Sequence, residues 1–213
     1  TSPHRISGFV RQDMGSYRIY HFHDTSDSAK SKATGDVDDN TFLRPDAANL
    51  AAFHYRLKET DPGYFENIGT TIRQIAPFFE GFRLAPSRLN PDKIRLEWRE
   101  KGNDDYFNAS ALSDGTLRFI CLATLLLQPH IPPLILLDEP ELGLHPAAIG
   151  LLADLLQSAA TRTQVLVATQ SVTLVSQFAP EQVWIVERRD GASVFEHLEA
   201  RDMSNWLEDY SLG

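Results

Sequence analysis

Cysteine, positive charge and long apolar runs are all scarce in this 213-residue sequence. Cys121 is the only cysteine, so no disulfide can form within the chain and we expect a cytoplasmic, reducing environment. Acidic residues outnumber basic ones by 29 to 20, and a net charge of −9 gives no general attraction to DNA, RNA or anionic lipid. No apolar run approaches the roughly 18 residues of a membrane helix. No signal peptide is visible either, and we therefore expect no membrane partner.

The rest of the composition is that of a globular protein. Hydrophobic residues make up 42% and charged residues 23% of the chain, which leaves enough apolar surface for a core. The length fits one large domain or two small ones.

The first 108 residues mix short helices and strands. Apolar spacing and turn residues predict a strand at 16–24, a polar loop at 25–41, helices at 44–60 and 64–79, and a hairpin that begins with a strand at 93–100 and returns through "DYFNAS". We interpret 1–108 as a helical and β segment ahead of the main motifs.

From residue 109 onward, helices and strands alternate. The pattern predicts helices at 115–127, 146–159 and 171–177 and strands at 134–138, 164–168 and 183–186. The strands "LILLD", "QVLVA" and "VWIVE" are nearly all apolar, as expected for strands buried on both faces of a parallel sheet. We also expect an edge strand in "ASVFEHLEA" and a terminal helix or turn in "SNWLEDYSLG". The fold class is therefore α/β, with 109–213 as its core.

The strand "LILLD" is followed by a glutamate, which gives the Walker B pattern of four apolar residues and two acids. A buried strand fixes such carboxylates at its carboxyl end, where ligands bind in open α/β sheets. Asp138 could hold Mg²⁺ through water, and Glu139 could orient and deprotonate an attacking water. The alternative is an ordinary core strand that ends in a solvated acidic turn.

The turn "LSDGT" opens the helix that precedes this strand. Ser113 can cap the helix, Gly115 allows close approach of a ligand, and helix amides with a serine hydroxyl form an anion site. Asp114 favours the simpler alternative of an ordinary cap, because a carboxylate stabilises a helix N-terminus but repels a phosphate.

Two histidines stand two residues apart in "YHFHD". His21 and His23 could both bind a metal ion, but the sequence offers no third ligand at a credible spacing. Cys121 lies on an apolar helix face and is predicted to belong to the core.

In combination these motifs resemble the RecF-like and SMC-like branch of the ABC ATPases. The likeness is stronger to bacterial AAA-type ATPases predicted from sequence. It rests on "YHFHDTS", "LRPD", "NLAAF", "LSDGTLRFICLATLLLQP", "DEPELGLHP", "ATQS" and "WLEDYSLG". The resemblance runs from Tyr17 to the last residue and implies the C-terminal lobe of an ABC-type P-loop ATPase.

The resemblance implies ATP and Mg²⁺ as cofactors and assigns roles to individual residues. Ser113, Asp114 and Gly115 stand in the signature motif, which in the family contacts the γ-phosphate of ATP held by the other subunit. Asp138 matches the aspartate associated with Mg²⁺, and Glu139 matches the catalytic glutamate.

Three further residues take their roles from the same resemblance. His145 stands in the D-loop region, which crosses the dimer interface in the family. Gln170 occupies the switch position, where ABC ATPases usually carry histidine, and Ser171 could support it. Glutamine can donate and accept hydrogen bonds but cannot carry a positive charge.

The phosphate-binding loop G-x-x-x-x-G-K-[S/T] is absent from the 213 residues. The family places that loop ahead of the signature motif, so we expect the chain to be the C-terminal part of a longer ATPase and to be inactive alone. The resemblance implies an ATP-dependent, head-to-tail homodimer that serves DNA repair, maintenance or defence. Two alternatives stay open: a nucleotide-gated scaffold with little hydrolysis, and a chain that acts without nucleotide.

Overall fold

The computed structural model describes residues 18–197. The chain divides into two compact units at the junction of Ala168 and Thr169, and each unit is described by itself. Among the described helices, none combines the length and the apolar character needed to cross a membrane.

A three-stranded parallel sheet organises the first unit. Its strands are β1 (Arg18–Tyr20), β7 (Leu134–Asp138) and β8 (Gln164–Ala168), with β7 in the middle. Tyr20 pairs with Leu137, and Leu137 pairs with Val167, so the carboxyl ends of all three strands lie at one edge. The predicted α/β fold with a parallel sheet flanked by helices is confirmed, and the predicted bounds of β7 and β8 are correct.

Two long helices follow the apolar runs that flank β7. Helix α3 (Asp114–Leu127) begins at the Ser113 cap, and every residue from Leu117 to Leu126 is buried. Helix α4 (Pro146–Ala160) has proline in its first turn, where the missing N–H costs nothing. Arg162, just beyond α4, donates to the carbonyl oxygens of Leu126 and Gln128 and so satisfies the C-terminal end of α3.

The two faces of the parallel sheet differ in burial. Tyr20, Ile135 and Leu137 are buried on one face, whereas Ile19 and Leu166, on the other, are 53% and 58% exposed. The prediction of burial on both faces is therefore wrong within the described residues. A continuous apolar run is compatible with a strand buried on one face or on both faces. The difference depends on whether other elements cover the second face of the sheet.

The rest of the first unit lies between β1 and α3 in the sequence. It contains β2 (Gly35–Asp36), α1 (Leu50–Thr60), α2 (Pro62–Ile75), β3 (Phe79–Arg83), β4 (Lys93–Ile94), β5 (Glu97–Glu100) and β6 (Tyr106–Asn108). Strands β3, β5 and β6 form an antiparallel sheet, and β2 pairs with β4. The predicted hairpin is the β5–β6 pair. The helix predicted at 64–79 ends at Ile75, just before Pro77. Its last predicted residue, Phe79, is instead the first residue of β3.

Helix α2 also packs against α3, so residues on both sides of position 108 contribute to the same core. The division of the chain into 1–108 and 109–213 stays a prediction.

The second unit holds a short helix and a hairpin. Helix α5 (Val172–Val175) is followed by β9 (Trp184–Arg189) and β10 (Ala192–His197), which pair antiparallel. The segment "VWIVE" was expected to be a parallel core strand, and this expectation is wrong. The turn at Asp190 and Gly191, both with positive φ, returns the chain beside β9. The terminal segment "SNWLEDYSLG" lies outside the described residues.

Candidate functional site

The two acidic residues of the Walker B pattern lie at the carboxyl edge of the parallel sheet. Asp138 is the last residue of β7 and is exposed. Glu139 follows with φ of +38°, a left-handed conformation that side chains rarely adopt, and its N–H donates to the carbonyl oxygen of Ala168 at 2.8 Å. Such a conformation costs roughly 1–3 kcal/mol and is concentrated at functional sites. The backbone therefore turns sharply at the predicted catalytic residue.

The signature turn touches the segment that follows β7. A Cβ atom added to Gly115 would lie 2.5 Å from the carbonyl oxygen of Gly143, closer than real Cβ contacts. Ser113 caps α3 by accepting a hydrogen bond from the N–H of Thr116 at 3.2 Å. Glycine at position 115 is thus required by packing between two motifs, which the sequence alone did not indicate.

Asp114 is paired with a lysine from the polar loop. The Lys32 ammonium lies 3.7 Å from the Asp114 carboxylate and donates to the carbonyl oxygen of Thr25 at 2.6 Å. The Lys32 side chain is only 5% exposed, whereas that of Asp114 is 68% exposed. Lys32 therefore places a positive charge beside a turn that Asp114 alone would make negative. No pattern in the sequence pointed to Lys32, because it lies in a loop far from the motif.

Arg118 joins α3 to the segment that follows β1. Its guanidinium donates to the carbonyl oxygens of Phe22 and His23, each at 2.9 Å. Burial lowers the pKa of Arg118, and the nearby Asp114 carboxylate opposes this shift. Because the guanidinium is buried and bonded to backbone oxygens, Arg118 fixes the position of this segment at the sheet edge.

The structure brings His21, His23 and Asp138 together. One possible ligand atom from each side chain lies within 4.8 Å of those of the other two. The expectation that the histidines lack a third ligand is therefore wrong. Parallel pairing of Tyr20 with Leu137 places the residues after β1 beside the residue that ends β7, although they are far apart in sequence.

His145 is placed at the N-terminus of α4. Its Nδ1 accepts a hydrogen bond from the N–H of Ala147 at 3.3 Å, so the imidazole takes the place that serine or aspartate usually occupies in a helix cap. His145 is exposed. Its predicted role at a dimer interface stays a prediction.

Gln170 and Ser171 belong to the second unit. Gln170 is exposed and lies between the end of β8 and α5. Ser171 caps α5 by accepting from the N–H of Leu174 at 3.2 Å, and its own N–H donates to the Thr169 hydroxyl. Ser171 thus has a structural role, and the switch role of Gln170 stays a prediction.

The residues at the sheet edge fit some parts of a Mg²⁺–nucleotide site. The Asp138 carboxylate offers the oxygen ligand that Mg²⁺ prefers. The first turn of α3 offers the Ser113 hydroxyl and N-terminal amides to an anion. The two imidazoles beside Asp138 are nitrogen ligands, which suit transition metals better than Mg²⁺.

A family model described as "AAA domain, putative AbiEii toxin, Type IV TA system" matches residues 3–176. The chain belongs to this AAA family. None of the curated protein sequences matches it.

Several solved structures similar to this AAA chain come from SMC proteins. One comes from work on ATP-driven dimerization and DNA-stimulated activation of SMC ATPases, with 20% identity, a TM-score of 0.56 and coverage of 74% of this chain and 97% of that one. Another is an Smc head bound to the C-terminal winged-helix domain of ScpA, with 20% identity, a TM-score of 0.59 and coverage of 88% and 57%.

A third is the Smc head of Pyrococcus yayanosii with a coiled coil and joint, with 18% identity, a TM-score of 0.52 and coverage of 78% and 34%. The AAA chain thus spans little more than half of the second structure and a third of the last. At these identities the likeness shows a shared fold.

Proposed function

We propose that this chain supplies the signature motif and the Walker B acids of an ATP-hydrolysing site shared between two subunits. Glu139 acts as the general base for the attacking water, and Asp138 holds the Mg²⁺ that accompanies ATP. Ser113, Asp114 and Gly115 face the nucleotide of the partner subunit, with His145 at the interface between the subunits. Gln170 serves as the switch residue.

The contact between Gly115 and Gly143 supports this proposal most directly. It packs the backbone of the signature turn directly against the segment after Walker B, so a shift of that segment would displace the surface offered to a partner. The left-handed backbone at Glu139 supports a functional rather than a structural role for that residue. Lys32 beside Asp114 lowers the electrostatic cost of bringing a phosphate to this turn.

The proposal includes two features that rest on kinship with the AAA family and the SMC heads. The first is a role in DNA repair, DNA maintenance or defence. The second is that these 213 residues hydrolyse little ATP alone, because they contain no G-x-x-x-x-G-K-[S/T] loop. A nucleotide-gated scaffold is the second candidate, favoured by glutamine rather than histidine at position 170.

The decisive experiment is Glu139→Gln in the full-length protein. We expect ATP binding to persist and hydrolysis to slow by roughly 10²-fold or more, because the amide keeps the carboxylate's shape but cannot accept the water's proton. ATP should then remain trapped, and the ATP-bound dimer should last longer than in wild type. Phosphate release and light scattering with and without ATP measure both effects. Glu59→Gln, which removes an exposed carboxylate from α1, is the matched control and should behave as wild type.

A second variant tests the partner-facing turn. Ser113→Arg places a long side chain at the exposed start of α3 and should abolish the ATP-dependent dimer, while the lost cap costs only about 1 kcal/mol of stability. Ser158→Arg, on the exposed surface of α4, is the control for adding arginine. Wild-type turnover in Glu139→Gln would refute the role of Glu139 as base. An ATP-dependent dimer without phosphate release in the wild type would favour the scaffold.

A further inference from the structure

We propose that His21, His23 and Asp138 form a binding site for a divalent transition-metal ion, with Zn²⁺ as its most direct probe. The site lies at the carboxyl edge of the parallel sheet and takes its ligands from the ends of two neighbouring strands. Nucleotide is not needed to form it, so the inference goes beyond the proposed function and does not rest on it.

The geometry of the three side chains is close to that of a metal site. Their possible ligand atoms lie within 4.8 Å of one another. Ligands around one tetrahedral Zn²⁺ are roughly 3.3 Å apart, so the side chains need to close by at most about 1.5 Å. His21 and Asp138 are exposed and His23 is half-buried, which leaves room for these side-chain rotations. The imidazole rings of His21 and His23 already lie side by side, with centroids 6.2 Å apart.

The backbone that carries the histidines is fixed on both sides. The N–H of His21 donates to the carbonyl oxygen of Pro45 at 3.0 Å. The buried guanidinium of Arg118 holds the carbonyl oxygens of Phe22 and His23. Phe22, which lies between the two histidines in the sequence, is buried, whereas His21 is exposed and His23 is half-buried. Ligands on a rigid backbone lose less conformational freedom when a metal binds.

The ligand set selects the class of metal. Two imidazole nitrogens and one carboxylate oxygen suit Zn²⁺ and the neighbouring transition metals, whereas Mg²⁺ and Ca²⁺ prefer oxygen ligands alone. Three protein ligands also leave one tetrahedral position open, as in catalytic rather than structural zinc sites. That position can take water or an oxygen of an anionic ligand.

Occupancy of this site has a consequence for the proposed ATPase. Asp138 would be shared between the transition metal and the Mg²⁺ that accompanies ATP. Zn²⁺ should therefore change hydrolysis in the wild type at fixed Mg²⁺, and this effect should disappear in His21→Ala. This consequence depends on the proposed function, whereas direct metal binding does not.

The test measures Zn²⁺ binding to tag-free protein in the absence of nucleotide, by calorimetry and by the visible absorption of bound Co²⁺. We expect one equivalent of metal bound to the wild type. His21→Ala, His23→Ala and Asp138→Asn should each weaken binding at least about tenfold, since even outer-shell changes cost about 10- to 100-fold. His130→Ala removes an exposed imidazole and Asp154→Asn an exposed carboxylate, both outside the cluster, and these variants should bind as wild type. Far-UV circular dichroism checks that each variant is folded.

Three results would overturn the proposal. The first is no Zn²⁺ binding by the folded wild type at micromolar concentrations. The second is unchanged affinity in Asp138→Asn, which would mean that scattered histidines bind the metal adventitiously. The third is an equal loss of affinity in His130→Ala. If Zn²⁺ binds as expected but the protein hydrolyses no ATP, the metal site stands and the ATPase proposal fails.

Discussion

The first turn of α3 and the body of the same helix have opposite environments. In the first turn, Ser113 and Asp114 are exposed, and the polar groups face a surface where a ligand could bind. In the body, every side chain from Leu117 to Leu126 is buried, including the polar Arg118 and Thr124. Arg118 bonds to two carbonyl oxygens, and Thr124 donates to the carbonyl oxygen of Ile120.

This difference shows how one helix serves both stability and a candidate site. The buried body anchors the helix, and its exposed end carries groups that can be changed without removing core contacts. Substitutions in the body should therefore act mainly on the free energy of unfolding. Substitutions of the exposed Ser113 and Asp114 should act mainly on dimerisation and hydrolysis, whereas the tightly packed Gly115 should affect both stability and dimerisation.

The largest effect is expected for Phe119→Ala in the body of α3. Phe119 is fully buried, and truncating it removes apolar contacts and leaves a cavity. We expect a loss of about 3–5 kcal/mol in the free energy of unfolding, measured by urea denaturation. Phe195→Ala, at an exposed position, is the control and should change stability by roughly 0.5 kcal/mol or less. Similar losses in the two variants would show that α3 is not the centre of the core.

An intermediate effect is expected for Gly115→Ala at the first turn. The added methyl group would meet the Gly143 carbonyl oxygen, so the backbone of one motif must shift. Overpacking of this kind costs about 1–3 kcal/mol, and the shift should also weaken ATP-dependent dimerisation.

Gly150→Ala is its matched control. Gly150 lies within α4, where an added Cβ atom meets nothing within 4 Å. Alanine should stabilise that helix by up to about 1 kcal/mol. Equal stability of the Gly115→Ala and wild-type proteins would contradict the tight contact between the motifs.

The effect that is smallest at neutral pH concerns the buried, hydrogen-bonded pair of His54 and Thr124. His54 is fully buried, and its Nε2 lies 2.8 Å from the Thr124 hydroxyl oxygen. The Thr124 hydroxyl donates to the carbonyl oxygen of Ile120, so the Nε2–H of a neutral His54 donates to the Thr124 oxygen. A second proton, on Nδ1, would find no partner among the described residues. Burial lowers the pKa of His54 from 6.5 to about 3.

The sign of the pH effect follows from that shift. Between pH 6.5 and about 3 the unfolded chain binds a proton at His54 that the folded chain does not, so stability falls as the pH falls. The slope is at most about 1.4 kcal/mol per pH unit. Urea unfolding between pH 4.5 and 6 should show a shallower slope in His54→Leu than in wild type, while exposed His130→Ala should keep the wild-type slope. Identical slopes in all three proteins would refute a buried neutral His54.

Local features of the sequence predicted much of the first unit. The bounds of β7 and β8, and those of α3 and α4 to within a residue, followed from apolar runs and caps. The existence of β3 and the antiparallel pairing of β9 could not be predicted. The segments "FEGFR" and "VWIVE" do not indicate which strand they pair with. Pairing is decided by contacts between distant residues, and a single sequence does not record them.

The candidate site was predicted in its motifs but not in its contacts. The acids at 138 and 139 and the turn at 113–115 could be recognised because each motif is contiguous. Lys32, Arg118 and the two histidines could not be assigned, because their contacts join residues that are far apart in the sequence. What a single sequence does not record is which strands are neighbours in the sheet, whereas the chemistry of each motif could be recognised.

The bonds from Arg118 to the loop after β1 limit how small a working fragment of this protein can be. Arg118 and Phe22 are 96 residues apart in the chain. A peptide from Leu112 to Pro146 would contain both recognisable motifs, yet it would lack Lys32, both histidines and the carbonyl oxygens that Arg118 holds. Grafting the motif segment onto another scaffold would therefore transfer the motif residues without the sheet edge and the contacts that position them. The smallest fragment that keeps these contacts is the whole stretch from β1 to β8.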